Sequence, residues 1–335
     1  MDPLSQAAIG AAVPQSTMKP AQMVRVTLVG ALAGMAPDLD VFIRSDTDPL
    51  LFLEYHRQFT HALIFIPVGS LLCAAVFAKT LARGIPFLTV WLAAFLGYAT
   101  HGLLDACTTY GTLLLWPFSD ARIAWNTIAV IDPLFTLPLL AGILWGLIRR
   151  NVWAARAGLL WALCYLGLGL IQHDRAAAVG EALASDRGHG GVSVSAKPTL
   201  GNILLWKVIY RYDGRFWVDA VRVGRDIRVY PGGSVAEFDP SKHLTWLDSR
   251  SQQGRDLERF RWFSSDYLAM DTDNPLMVVD MRYSLLPNEI KGLWGIQFDP
   301  KADDGSHVRY RAQRSADAER AGRLWAMLKG AEPPG

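Results

Sequence analysis

Apolar residues in this chain come in long unbroken runs separated by short polar loops, a block pattern unlike the narrow stripe of an amphipathic helix. The runs cover about Val24 to Met35, Ala62–Ala82, Pro86–Cys107, Ile128–Ile148 and Trp153–Ile171. A helix crossing the hydrocarbon core needs about 20 residues, so the last four runs predict membrane spans. The first is short and stops at Pro37, which predicts a tilted, re-entrant or bundle-packed segment. Residues 1–22 are mixed, with small apolar residues followed by Pro14, Lys19 and Pro20. Loops are expected over 38–60, at Arg83-Gly84 and over 109–127, with a tight basic turn between the last two spans.

Beyond Ile171 the pattern changes. Residues 173–197 are rich in Ala, Gly and Ser and read as a linker. From Leu200 the period becomes alternating, as in a half-buried strand. Leu204–Tyr212 and Arg215–Val223 flank Asp213-Gly214, a strong hairpin signal. Helices are expected over 254–263 and 316–329, and strands at Leu276–Tyr283, Trp294–Asp299 and Val308–Ala312. The expected fold is therefore mainly α. A multipass transmembrane helical bundle (1–172) is followed by a linker (173–197) and a C-terminal soluble α+β domain with an antiparallel sheet (198–335).

Composition agrees with a membrane protein: 51% of the 335 residues are hydrophobic and only 19% charged. A net charge of +2 gives no basic surface for nucleic acid. Cys73, Cys107 and Cys164 lie far apart in apolar segments and read as buried small hydrophobes, without a disulfide or zinc pattern. Met1-Asp2-Pro3 lacks the basic start of a removable signal peptide. Lys79 and Arg83 flank one short hairpin, and Arg149, Arg150 and Arg156 flank the next. The positive-inside rule puts both turns in the cytoplasm. The opposite ends of the spans, and the C-terminal domain, are then extracytoplasmic.

Those opposite ends collect the unusual residues. Asp38 and Asp40 follow Pro37; His56 and His61 precede the Ala62 run, with Thr60 as its expected N-cap. His101 and Asp105, four apart, share one face of a helix. Carboxylates and imidazoles are the ligands of hydrolytic metal sites, and ionisable groups at a membrane edge are costly enough to signal function. Each group also has an ordinary reading: turn formers for Asp38 and Asp40, an interfacial anchor for a histidine, a headgroup contact for Arg57. Their arrival at a single membrane face favours a site. Asp132 reads as a helix start or as an outer partner of the site, and Asp120 and Arg122 are weaker candidates. No Gly-x-Ser-x-Gly elbow or nucleotide loop is present. His243 and His307 follow no defensible spacing.

In order along the chain stand Met1-Asp2-Pro3-Leu4-Ser5-Gln6-Ala7, Gly34-Met35-Ala36-Pro37-Asp38-Leu39-Asp40, Tyr55-His56-Arg57-Gln58-Phe59-Thr60-His61-Ala62, His101-Gly102-Leu103-Leu104-Asp105 and Thr109-Tyr110-Gly111-Thr112. This set resembles the bacterial LexA-regulated, inner-membrane-bound metal-dependent hydrolase family, over roughly residues 1–170 and more loosely beyond. The resemblance implies a multipass inner-membrane protein with Asp38, Asp40, His56, His61, His101 and Asp105 as its metal site. Gln58 stands where the family usually has glycine, and Ala62 where it usually has serine; neither is an expected ligand.

Two functions are weighed. The first is a membrane-bound hydrolase acting at the extracytoplasmic face on a lipid or envelope ester or phosphoester. A divalent metal, zinc by preference, would sit on the Asp/His ligands, with Asp40 or Asp38 as general base and Arg57 holding an anionic group. Its partners would be membrane lipid and a small-molecule or lipid substrate. The second is a non-enzymatic membrane protein whose cluster is an ion or proton path, or a structural metal clip. A relay needs polar groups at the midplane and on both sides; crowding at one edge favours the enzyme.

Overall fold

The computed structural model describes residues 1–313 and 318–332. In chain order its helices are α1 (Pro3–Thr17), α2 (Met23–Met35), α3 (Leu51–Tyr55), α4 (Ile66–Lys79), α5 (Phe87–Ala106), α6 (Pro133–Arg149) and α7 (Val152–Asp186). Strands β1 (Val194–Pro198), β2 (Leu205–Tyr212), β3 (Arg215–Val223) and β4 (Ile227–Ala236) follow, then α8 (Pro240–His243) and α9 (Gln252–Phe263). Strands β5 (Leu268–Met270), β6 (Met277–Asp280), β7 (Trp294–Gln297) and β8 (Arg309–Ala312) precede α10 (Ala318–Lys329). Two units form: residues 1–42, 55–171 and 200–203, and residues 43–54, 172–199 and 204–335.

The first unit is helical. Residues 1–22, mixed by sequence, contain a 15-residue helix because Asp2 caps it, accepting from the Leu4 and Ser5 amides, with Pro3 in the first turn. Helices α1, α2 and α5 cross on glycine. A Cβ on Gly97 would strike the Gly30 carbonyl oxygen, and one on Gly30 would strike the Gly10 carbonyl oxygen. Val26, Val29 and Ala33 of α2 pack with Ala74 of α4 and Val90, Ala93 and Ala94 of α5.

Among the described residues two helices, α5 and α7, are long and apolar enough to cross a membrane. The pair Leu51–His61 and Leu63–Lys79, bent by 58°, makes a third if it is one span. The expectation of four spans is thus reduced by length: α6 has 17 residues and α4 has 14. The expected linker is also corrected, since α7 runs to Asp186 over 35 residues, about 50 Å of helix. No cysteine is fully buried; Cys73 and Cys107 are half-buried and Cys164 is exposed.

The second unit holds two antiparallel sheets, ordered β1-β2-β3-β4 and β5-β6-β7-β8. The β2–β3 hairpin turns at Asp213 (φ 50°) and Gly214 (φ 65°), the left-handed pair that Asp-Gly supplies cheaply. Ile209, Phe216 and Val218 pack on Ala269, Met277, Val279 and Met281. The expected helix over 316–329 is seen from Ala318; residues 316 and 317 lie outside the described residues.

Charge in this unit is closed by cations of its own. Arg259 pairs with Asp48 (2.8 Å), Glu54 (2.5 Å) and Asp256 (2.9 Å). The Arg282 guanidinium lies 2.7 Å from the Asp280 carboxylate. Lys197 stands opposite Lys207 across β1 and β2, and both are buried. The Lys207 ammonium donates to Ser284 Oγ (2.8 Å) and the Glu289 carbonyl (3.1 Å). Burial pushes both amines down to about 7, helped at Lys197 by the Arg282 charge.

Candidate metal centre

Helix α5 presents His101 and Asp105 from one face, one turn apart, as their spacing predicts. The 3₁₀ turn Ala36–Phe42 brings Asp38 and Asp40 to them, and the 3₁₀ turn Phe59–His61 brings His61. His61 Nε2 lies 2.8 Å from His101 Nε2, 3.5 Å from Asp38 Oδ1 and 3.2 Å from Asp105 Oδ2. His101 Nε2 lies 3.4 Å from Asp38 Oδ1 and 3.6 Å from Asp105 Oδ2. Four donor atoms from three segments of chain therefore converge on one point.

The protonation of the two rings follows from their other nitrogens. His101 Nδ1 faces the Gly34 carbonyl at 2.5 Å, and a carbonyl only accepts, so Nδ1 carries the hydrogen. His61 Nδ1 faces Asp40 Oδ2 at 3.2 Å and Thr60 Oγ1 at 3.0 Å, while the Thr60 hydroxyl donates to the same carboxylate oxygen at 2.9 Å. In the neutral rings both Nε2 atoms then present lone pairs, facing each other and two carboxylate oxygens. Such a set requires a positive charge between its members, either a proton or a metal ion. A tetrahedral ion with bonds of about 2.0–2.1 Å has ligand–ligand edges of roughly 3.3 Å. The five separations above, 2.8 to 3.6 Å, bracket that edge. Asp105 Oδ2 is buried, and its contacts are electrostatic ones with Arg57 Nε at 3.1 Å and His61 Nε2 at 3.2 Å, with no well-formed hydrogen bond. Each histidine gives its far N–H to a carboxylate or carbonyl, the support that metal-bound imidazoles use. Asp38, His61, His101 and Asp105 form a group that could hold a metal ion.

Around these four lies a tight shell. Asp40 accepts from His56 Nδ1 (2.8 Å), the Arg57 amide (3.0 Å) and Thr60. Burial works against ionising Asp40, but the hydrogen bonds from His56 and His61 outweigh it and hold the carboxyl below its usual range. The same contest at Asp38 is won by its hydrogen bonds to His101 and His61. Arg57 takes up φ 68°, a conformation that costs energy for a non-glycine residue. There its amide reaches Asp40, its Nε lies 3.1 Å from Asp105 Oδ2 and its Nη1 donates to Thr108 Oγ1 at 2.9 Å. The Arg57 side chain is buried, its guanidinium against Asp105 and Thr108. Thr60 caps no helix, since α4 begins at Ile66 with Pro67 in its first turn. His56 and Asp40 make a second possible metal group with Asp38.

Other sequence candidates lie elsewhere. Asp132 caps α6, accepting from the Leu134 and Phe135 amides and the Tyr165 hydroxyl (2.9 Å). Arg122 donates to the Gly111 carbonyl at 3.1 Å. Two groups escaped the sequence reading. Gln6 donates to Asp105 Oδ1 (3.0 Å) and to the His101 carbonyl (3.3 Å), and the Met1 amino group pairs with Asp105. The Asp2-Pro3 helix start was the signal that would have placed Gln6 on a helix.

The family model described as YdjM inner membrane protein matches residues 1–176, which contain every residue of this centre. An "Uncharacterized protein YfhP" of Bacillus subtilis (strain 168) is 29% identical over 122 residues, 36% of this chain and 37% of that protein. "Inner membrane protein YbcI" of Escherichia coli (strain K12) is 34% identical over 110 residues, 32% of this chain and 62% of that protein. The chain thus matches less than two thirds of either relative's length. No solved structure matches.

Proposed function

The chain belongs to the YdjM inner membrane protein family, and from that premise we propose that it is a metal-dependent hydrolase of the bacterial inner membrane, acting on an ester or phosphoester. The convergence of two imidazole nitrogens and two carboxylate oxygens at tetrahedral-edge separations carries this reading. Asp38, His61, His101 and Asp105 would hold one divalent ion, zinc by the chemistry of the donors. When bound, the ion supplies Lewis acidity and a water acidified toward neutral pH.

The chain's own residues prepare that chemistry. Asp40 fixes the tautomer of His61 and ties it to His56. Arg57 and Gln6 hold the Asp105 carboxylate in one orientation. Among the four converging side chains only Asp38 is partly exposed, at 22%, so substrate reaches the centre from its side. His56, 21% exposed and hydrogen-bonded to Asp40, is placed to take or give a proton there. On this reading the chain is multipass, and the site and the C-terminal unit face the extracytoplasmic side, with Lys79, Arg83, Arg149 and Arg150 in the cytoplasm.

A second reading is favoured by one observation. Asp105 already meets two cations, Arg57 and the Met1 amine, which suits a metal-free polar knot with a proton between the two imidazoles. Hydrolysis of nitrophenyl esters and phosphoesters by detergent-purified protein, with and without added zinc, separates the two. Zinc-dependent turnover that His61→Gln abolishes supports the hydrolase; turnover absent under every metal sinks it.

A further inference from the structure

The 3₁₀ turn Ala36–Phe42 repeats every three residues, so side chains three apart share a row. Pro37 and Asp40 form its buried row, and Asp38 stands half-buried in the next. The third row ends in Leu39, 62% exposed, and Phe42, 78% exposed. A loop bathed in water gains nothing from such a row, because each exposed apolar Å² costs about 25 cal/mol relative to burial. The neighbouring loop repeats the pattern. It is strapped to the His61 segment by the Leu113 amide on the Arg57 carbonyl (3.0 Å) and the Leu63 amide on the Leu114 carbonyl (2.9 Å). It exposes Leu115 at 48% and Phe118 at 81%, and the segment it grips exposes Leu63 and Ile64 at 40% and 52%. Single exposed apolar residues are ordinary, but a group of them marks a contact surface. On α4, which follows Leu63 and Ile64 in the chain, Val68, Leu72 and Val76 are exposed as well.

We propose that the substrate is a membrane amphiphile that enters from the bilayer, its apolar tail against Leu39, Phe42, Leu115 and Phe118 and its polar linkage at Asp38. The proposal rests on the hydrolase reading for the reaction but not for the contact. A soluble substrate would have no use for an apolar rim at the one open ligand.

The full chain is tested in bilayers of equal parts phosphatidylethanolamine and phosphatidylglycerol, with benzophenone-phenylalanine placed at Phe42, at Phe118, at Leu72 and at Asp213. Photolysis is expected to give adducts of phospholipid mass at Phe42, Phe118 and Leu72, and none at the hairpin residue Asp213. Adducts at Leu72 alone would overturn the proposal. In parallel, wild-type protein is offered one phosphoester headgroup on alkyl chains of increasing length; KM is expected to fall at least tenfold from the shortest to the longest. A KM independent of chain length overturns the proposal and leaves the hydrolase standing. Absence of turnover at every length removes the hydrolase, while the adducts still decide whether lipid lies at the rim.

Discussion

The second unit buries Asp256 with a histidine beside it, and the first buries Asp105 with two; the surroundings make these different objects. Asp256 accepts from His307 at 2.8 Å, from the Val308 amide at 3.1 Å and from Arg259, which also holds Asp48 and Glu54. Asp48, Glu54 and Asp256 each have Arg259 as a hydrogen-bonded cation, which points outward to three separate partners. Around His61 and His101 the donor atoms point inward to a shared place, although Asp105 also meets the Arg57 guanidinium at 3.1 Å. Burial of ionisable groups is common to both. Among the described residues the convergence of lone pairs is found in the first unit, and it is what a metal centre would need.

The largest loss is expected when the scaffold of the first unit is overfilled. Gly97→Leu sets a side chain against the Gly30 carbonyl, in an interior that does not yield. The expected outcome is loss of folded protein from the membrane fraction, measured by size exclusion in detergent. Next is Arg259→Met, which removes the cation that Asp48, Glu54 and the buried Asp256 share; about 1–3 kcal/mol of destabilisation is expected. Pulse proteolysis of the second unit checks it, and zinc content should not change. Asp40→Asn keeps the shape but removes the carboxylate that orients His61. A loss of 10- to 100-fold in zinc affinity is expected from such outer partners, read by competition with a chromophoric chelator.

The lysine pair makes the stability of the second unit depend on pH. Lys197 and Lys207 are pushed down to about 7 in the folded chain, against 10.5 ordinarily. Between those values the unfolded chain binds more protons than the folded one, so stability rises with pH across that window. The slope is at most about 1.4 kcal/mol per pH unit for each lysine, and below pH 7 no further loss is expected. Proteolysis midpoints at pH 7.5 and 9.5 check the sign. Lys197→Met should flatten the dependence.

Much of this contrast was legible in the sequence. Blocks of apolar residues, the Asp-Gly hairpin and the spacing of His101 and Asp105 are local signals, and the four converging side chains were all candidates. What the sequence could not rank was role. Asp40 and Arg57 carry the residue types of a base and an anion holder, and the structure adds what the sequence does not show, their contacts with His61 and Asp105. Only three-dimensional contacts separate a ligand from its brace. Strand β4 was hidden by Pro231-Gly232-Gly233, a turn signal that an edge strand tolerates because its outer amides need no partner. The 173–186 stretch looked like a linker because its alanines and charges suit a solvated helix equally well.

If the two imidazoles face a metal ion, the purified protein carries it. Elemental mass spectrometry of the detergent-purified full chain, beside His101→Gln and Asp105→Asn, tests it directly. One divalent ion per chain in the wild type, lost in both variants, is the predicted result. A wild-type protein that stays metal-free after incubation with zinc, manganese and iron would contradict it and leave a proton-bridged structural cluster.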